Sequence, residues 1–328
     1  MSTKKHIFLF RKNTQPESVL TDIINDFNCK TEICEIRKET YFDTFDWRLY
    51  QNGFAFLNDE NHWKLFRLSK KEEIWIEHSQ ASNSENYTAM SFSDESIRAK
   101  IEDVIESRVL LPVLVIQTAE TCGLIVNDQQ IPIINFSLLI SQILNKDGSQ
   151  SLLKPITFLI VHELKGFKKE FKNFSEYLKN KGLAESRNSW DTFPILLKLK
   201  RINPYACLPK VNIHLNEREP AREATIKIAS YLFKVAIKNI DGIKNDIDID
   251  FLHDFRVSIR RLRTLLGQMK NVFPLEMMQE LREELANVMS KSNSVRDLDV
   301  YLSQKAYYFS LIPANMHKGL EIFFNMLQ

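Results

Sequence analysis

Hydrophobic positions change rhythm near the middle of the chain. Through the first two hundred residues they come in short runs: HIFLF at 6–10, YQNGFAFL at 50–57, HWKLFRL at 62–68, EEIWIEH at 72–78, VLVIQT at 113–118 and ITFLIVHEL at 156–164. β-Branched and aromatic residues dominate these runs, and polar clusters bound them, which predicts strands. Three stretches between them have helical spacing: PESVLTDIINDF, DESIRAKIEDVIES and FKNFSEYLKNKG, the last stopping at Gly182. Strands with interspersed helices predict an α+β domain built round an antiparallel sheet or barrel over residues 1–200. RINPYACLPKVNIHLNEREP, with Pro204, Pro209 and Pro220, reads as a connector over 201–218. From 219 to 328 the apolar residues recur every three to four positions, which predicts an all-α bundle. Its helices are AREATIKIASYLFKVAIKNI, FLHDFRVSIRRLRTLLGQMK, PLEMMQELREELANVMSKS and SVRDLDVYLSQKAYYF. Asp250 is the expected N-cap of the second, and Pro274 opens the third.

Composition narrows the class without naming a function. A chain of 328 residues with 44% hydrophobic content and only 8 glycines is an ordered globular protein with room for two cores. The net charge of +2 excludes a general nucleic-acid coat, so any polyanion site has to be local. Cys29, Cys34, Cys122 and Cys207 form neither CxxC pairs nor a disulfide framework, so a reducing, cytoplasmic interior is expected. The basic N-terminus lacks a signal-peptide core, and the run VLLPVLVI is too short to span a bilayer. Neither a membrane nor a sequence-specific nucleic acid is an expected partner.

One helix departs from that neutral balance. In FLHDFRVSIRRLRTLL, Phe255, Ile259, Leu262 and Leu266 fall within about 60° of one another and should face the core. His253, Arg256, Arg260 and Arg263 fall within about 80° on another side, with Arg261 apart, nearer Val257. Like charges at these spacings repel by a few tenths of a kcal/mol per pair, a strain that a multivalent anion would relieve. On the preceding helix, Lys227, Lys234 and Lys238 share a stripe about 40° wide beside Tyr231. Antiparallel packing could set both stripes on one groove. Arginine grips phosphate bidentately and lysine adds a mobile charge. The competing expectation is a merely solvated basic face, weakened because Asp254 is almost the only acid available for pairing.

HDFRVSIRRLR, followed some thirty residues later by VRDLDV, resembles the signature of the CHAD family of histidine-containing α-helical domains. His253, Arg256, Arg260, Arg261 and Arg263 match its first part; Arg296, Asp297 and Asp299 match its second. The resemblance implies inorganic polyphosphate bound in a basic cleft, with Arg296 a further ligand and Asp297 or Asp299 orienting arginines. The family domain has two pseudo-symmetric helical halves, and this chain reaches Gln328 shortly after the first. Half a cleft is therefore expected, which a second copy could complete. Association with polyphosphate granules would follow.

The N-terminal half resembles, more loosely, the CYTH family, the triphosphate tunnel fold that often precedes a CHAD domain. Tyr41, Phe42, Asp43, Thr44, Leu49 and Gly53 carry one segment of the resemblance, and Glu163, Lys165 and Gly166 another. That family holds a divalent metal between paired glutamates for triphosphate hydrolysis. Its opening ExExK is missing here, because His6, Phe8 and Phe10 would stand at the inward positions. Val161 stands where a second late glutamate is expected. The expectation is a tunnel without catalysis, metal or cofactor, keeping Lys64, Arg67, Glu163 and Lys165 as residual charges; Asp43 caps a turn. Two alternatives stay open. One is a divergent magnesium-dependent triphosphatase using Glu163 and Glu77; the other is an interaction module that docks through Trp47, Trp63 or Trp75. DIDID at 246–250 lacks the glycine and closing glutamate of a calcium loop, and the cysteines lack zinc spacing.

Overall fold

Among the described residues the N-terminal half forms one antiparallel sheet of nine strands. The computed structural model describes residues 5–11, 14–60, 62–68, 74–77, 86–145, 147–186, 192–206, 213–269 and 271–327. In chain order the strands are β1 (Lys5–Leu9), β2 (Cys29–Asp43), β3 (Phe54–Asn58), β4 (Trp63–Arg67), β5 (Ile74–Glu77), β6 (Leu111–Val126), β7 (Pro132–Leu144), β8 (Ile156–Glu163) and β9 (Ala184–Ser186). Their order in space is β5-β4-β3-β2-β6-β7-β8-β1-β9, so among the described residues the sheet is open, with β5 and β9 as its edges. The α-helices of this half among the described residues are α1 (Pro16–Asp26), α2 (Arg48–Gln51), α3 (Glu95–Ile105), α4 (Lys168–Asn180) and α5 (Thr192–Leu199). The chain divides into two units, Met1–Glu106 with Leu110–Pro204, and Ser107–Val109 with Tyr205–Gln328.

The two faces of the sheet have different neighbours. On one, Phe8, Ile134, Phe136, Leu159 and Val161 pack against Val19 and Ile23 of α1 and Phe171, Phe174 and Leu178 of α4. On the other, Ile7, Tyr41, Ile116 and Phe158 pack with Phe193, Leu196 and Leu197 of α5. Seven strands contribute residues to one cavity of about 310 Å³ on this second face, so the open sheet is tunnel-like. The register of β1 corrects the expected inward set. Lys5 and Ile7 line the cavity, whereas Phe8 belongs to the helix-covered face and His6 lies against Phe171 and Ser175 of α4. Val161 points to that helix-covered face as well, and so does Glu163, which stands directly opposite Ile134.

The YFDT segment builds a turn. Asp43 is buried and accepts backbone N–H bonds from Thr44 (2.7 Å), Leu49 (2.9 Å) and Tyr50 (2.9 Å). Burial pushes its carboxyl up to about 7, against the pull of those three donors. Thr44 Oγ1 donates to Asp46 and accepts from the N–H of Arg48, and Gly53 ends the turn at φ +79°. Trp47 and Trp63 are 7% and 1% exposed, so neither forms the docking surface considered from sequence. The side chains of Trp75 and Glu77 lie outside the described residues.

A β-bulge between Ile33 and Glu35 turns Cys34 toward Cys122 of β6, and the two form a disulfide with Cα atoms 6.0 Å apart. This corrects the expectation of no disulfide, which rested on spacing alone.

In the second unit the helices are α6 (Ala221–Lys244), α7 (Ile249–Gln268), α8 (Leu275–Lys291), α9 (Asn293–Ser303), α10 (Lys305–Ser310) and α11 (His317–Leu327). The helix expected over 294–309 is broken at Gln304 into α9 and α10. Leu232 and Ala236 of α6, Ile259, Leu262 and Leu266 of α7, and Met278 and Leu285 of α8 form its core. Gly242 lets α6 approach α7: a Cβ there would stand 2.1 Å from the Phe251 ring. Gly242→Ala is therefore expected to destabilise this unit by about 1–3 kcal/mol through overpacking, despite alanine's better helix propensity. Urea denaturation followed by circular dichroism checks this; a stabilised variant would mean that the helices do not meet there. Among the described residues no helix is long and apolar enough to cross a membrane.

Candidate functional site

The cap of α7 lies two residues earlier than expected, because Asp248 rather than Asp250 accepts from the N–H groups of Asp250 and Phe251. The carboxylates here serve a second purpose. Arg108 is fully buried; its Nη1 donates to Asp248 Oδ1 (3.0 Å), its Nη2 to Asp254, and its Nε lies 3.7 Å from Asp250 Oδ2. Its guanidinium also stacks over the Phe251 ring, 5.0 Å from the centroid. Burial pushes the Asp248 carboxyl up while the charge of Arg108 pulls it back. Asp248, Asp250 and Asp254 thus all gather on Arg108. Among the described residues no three His, Cys, Asp or Glu side chains gather as a metal site.

Past this acidic start, the outer side of α7 is basic. His253, Val257, Arg260, Arg261, Thr264, Leu265 and Gln268 share one shallow depression with Ile228 and Leu232 of α6. Arg260 and Arg261 are exposed, and His253 is half-buried. Burial, then the charge of Arg296 and more weakly that of Arg260, hold His253 below its ordinary value, with Asp254 and Asp250 opposing. Arg296 of α9 is therefore an electrostatic neighbour of His253, and its Nη1 donates to the carbonyl of Ile249 (3.4 Å). Burial raises the Asp299 carboxyl, with Arg296 opposing, and Asp297 is exposed.

Two arginines of the motif lie differently from the expected row. Arg256 spends its fork on the α8–α9 junction: Nη1 donates to Met289 O (3.0 Å) and Ser292 Oγ (2.6 Å), and Nη2 donates to Asn293 Oδ1 (2.9 Å). It fixes the start of the helix that carries Arg296 and is not simply a side chain offered to solvent. Arg263 is half-buried, with Nε enclosed and without a hydrogen-bond partner. The sequence reading missed Arg282 of α8, whose Cζ lies 3.4 Å from where a Cβ on Gly267 would stand. Gly267 follows Arg263 by one helical turn, so Arg282 brings a further guanidinium to this row. The signal available in sequence was a glycine inside a basic helix.

The lysine stripe does not border the depression. Lys227 pairs with Glu219, Lys238 donates to the carbonyl of Ala206 (3.3 Å), and Lys234 is exposed. Lys234 lies about 200° round α6 from Leu232, the residue that meets α7, so the shared groove has an apolar wall instead.

The residual tunnel charges are likewise dispersed. Lys64 lines the sheet cavity and pairs with Asp59, whereas Arg67 is exposed over the Phe54 ring and Lys165 is exposed beyond β8. The charges that sequence reasoning did not name are Lys5, Arg37 and Glu39 in the cavity lining, with Glu120 bound to Arg37.

Among curated proteins none matches the chain. Solved structures are similar over the N-terminal part. A candidate adenylate cyclase of Bacillus halodurans is 16% identical at a TM-score of 0.35, covering 56% of this chain and 91% of its own. A candidate adenylyl cyclase of Hippeastrum, HpAC1, described as having a dominant triphosphatase activity, is 12% identical at 0.36, covering 59% and 94%. A third, from Vibrio parahaemolyticus, is 9% identical at 0.31, covering 58% and 98%. In the second unit the sequence profile of the CHAD domain matches residues 227–328, and this helical stretch is a CHAD domain.

Proposed function

We propose that the helical unit binds inorganic polyphosphate along the outer side of α7, without catalysis and without sequence readout. His253, Arg260 and Arg261 are the ligands in the depression, Arg296 completes the set, and Arg256 positions Arg296. One observation carries this reading. His253, Arg260 and Arg261 line one surface depression while the nearby acids of α7 are drawn to Arg108. A linear anion laid there meets forked donors and little carboxylate repulsion. Among the described residues the depression is lined by charges and by no Phe, Tyr or Trp on which bases could stack, which favours polyphosphate over single-stranded RNA. Isothermal titration with long-chain polyphosphate tests it. The logarithm of the affinity should fall linearly with log salt, and a poly-uridylate chain of equal charge should bind no better. Salt-insensitive binding, or preference for the RNA, would overturn the reading.

The histidine adds a pH dependence. In the free protein His253 lies below the ordinary value of about 6.5, and an adjacent phosphate favours its charged form. Binding then takes up a proton. Affinity should rise as pH falls from the bound-state pKa towards the lower free-state pKa, by at most about tenfold per unit. His253→Gln should flatten that slope. An unchanged slope in the variant would show that the uptake lies elsewhere.

A further inference from the structure

The cavity of the N-terminal sheet belongs to neither polyphosphate nor a metal-held triphosphate by its own chemistry. Its charged groups are balanced. Arg37 Nε donates to Glu39 (3.0 Å) and its Nη1 to Glu120 (2.7 Å), while Lys64 is held by Asp59. With Lys5, the cavity and these partners contain three cations and three carboxylates among the described residues. A triphosphate would bring several negative charges into a space whose described residues have no surplus to receive them.

Ile7, Leu57, Ile116, Leu139, Phe158 and Ile160 give the cavity an extended apolar wall. In the same lining Thr118 Oγ1 donates to Glu39 Oε2 (3.2 Å) and lies 3.0 Å from Ser141 Oγ. These hydroxyls can reorient to serve a ligand that both donates and accepts. A volume of about 310 Å³ is at the small end of ligand sites.

We propose that this cavity binds an uncharged amphiphile, with an apolar body along the sheet wall and a hydroxyl-type head at the Thr118–Ser141–Glu39 group. A carboxylate head is disfavoured because it would add a third acid beside Glu39 and Glu120. This site is independent of the polyphosphate reading, since none of its residues lies in the helical unit.

Displacement of the neutral dye Nile red from the full chain tests it, with decanol, decanoate and tripolyphosphate as competitors. Decanol should displace the dye, decanoate should be at least about tenfold weaker, and tripolyphosphate should be inert. Leu139→Trp, which fills the cavity, should weaken decanol at least about tenfold. Thr118→Val, nearly isosteric, should weaken it several-fold with the circular dichroism spectrum unchanged, and decides alone if the larger variant fails to fold. Decanoate or tripolyphosphate competing as well as decanol would overturn the proposal. So would decanol binding that Thr118→Val leaves unaltered.

Discussion

Replacing Arg260 and Arg296 together by glutamate is expected to weaken polyphosphate binding at least about a hundredfold. Charge-assisted hydrogen bonds contribute about 1.5–3 kcal/mol each, so losing two sums to about 3–6 kcal/mol before any repulsion is added. The salt slope should become shallower by about one for each phosphate that the variant no longer neutralises. Reversal of Lys234 and Lys238, which stand outside the depression, is the matched control. It changes net charge equally and should shift affinity by no more than about threefold, the scale of screened surface charges. Equal losses in both double variants would mean that the chain attracts polyanions by bulk charge alone. Arg256 is unsuitable for this comparison, because its guanidinium holds the α8–α9 junction through three hydrogen bonds. Its loss would displace Arg296 without revealing whether Arg256 touches the anion.

The largest stability effect should come from Arg108→Ala. The arginine is fully buried against Asp248, Asp250 and Asp254, and removing it takes from these partly buried carboxylates the guanidinium that they share. Breaking a buried pair from one side costs about 3–5 kcal/mol, a large share of a domain's stability. The pH dependence of the deficit identifies its cause. Burial raises the Asp248 carboxyl and Arg108 lowers it, so without the guanidinium the folded variant binds more protons and gains stability as pH falls towards 4. Asp254→Asn added to Arg108→Ala should recover part of the loss. A variant within about 1 kcal/mol of wild type in urea denaturation at neutral pH would show that the cluster contributes little.

What the sequence disclosed follows from where each segment is buried. The bundle was legible because α7 has one buried row, Ile259, Leu262 and Leu266, at helical spacing. β2 was not legible. Residues 30–36 of CKTEICEIRKETYFD are exposed at both parities, so no alternation marks the strand. β7 failed for the opposite reason. Ile133, Ile134, Leu138, Leu139 and Ile140 put apolar residues on both faces, and such a run does not distinguish strand from helix. The register of β1 was misjudged by one residue, which exchanges its two faces and moves Phe8 out of the cavity and Lys5 into it.

The site was legible in its residue types and less so in their duties. Helical geometry grouped His253, Arg256, Arg260 and Arg263, yet the structure sets His253 and Arg260 in the depression and turns Arg256 toward α9. Arg261, read as standing apart, lines the same depression as Arg260. The fate of Asp254 depended on Arg108, which lies well over a hundred residues away in sequence, so no local pattern could reveal it. The cavity network of Arg37, Glu39 and Glu120 likewise needs the β2–β6 register before it can be recognised.

A crystal structure of the full chain soaked with a short-chain polyphosphate is the most direct trial. Phosphate oxygens should be found within hydrogen-bond reach of His253, Arg260 and Arg296, with the chain running along α7. Density confined to the sheet cavity, or an empty α7 with the anion held by the α6 lysines, would contradict the account.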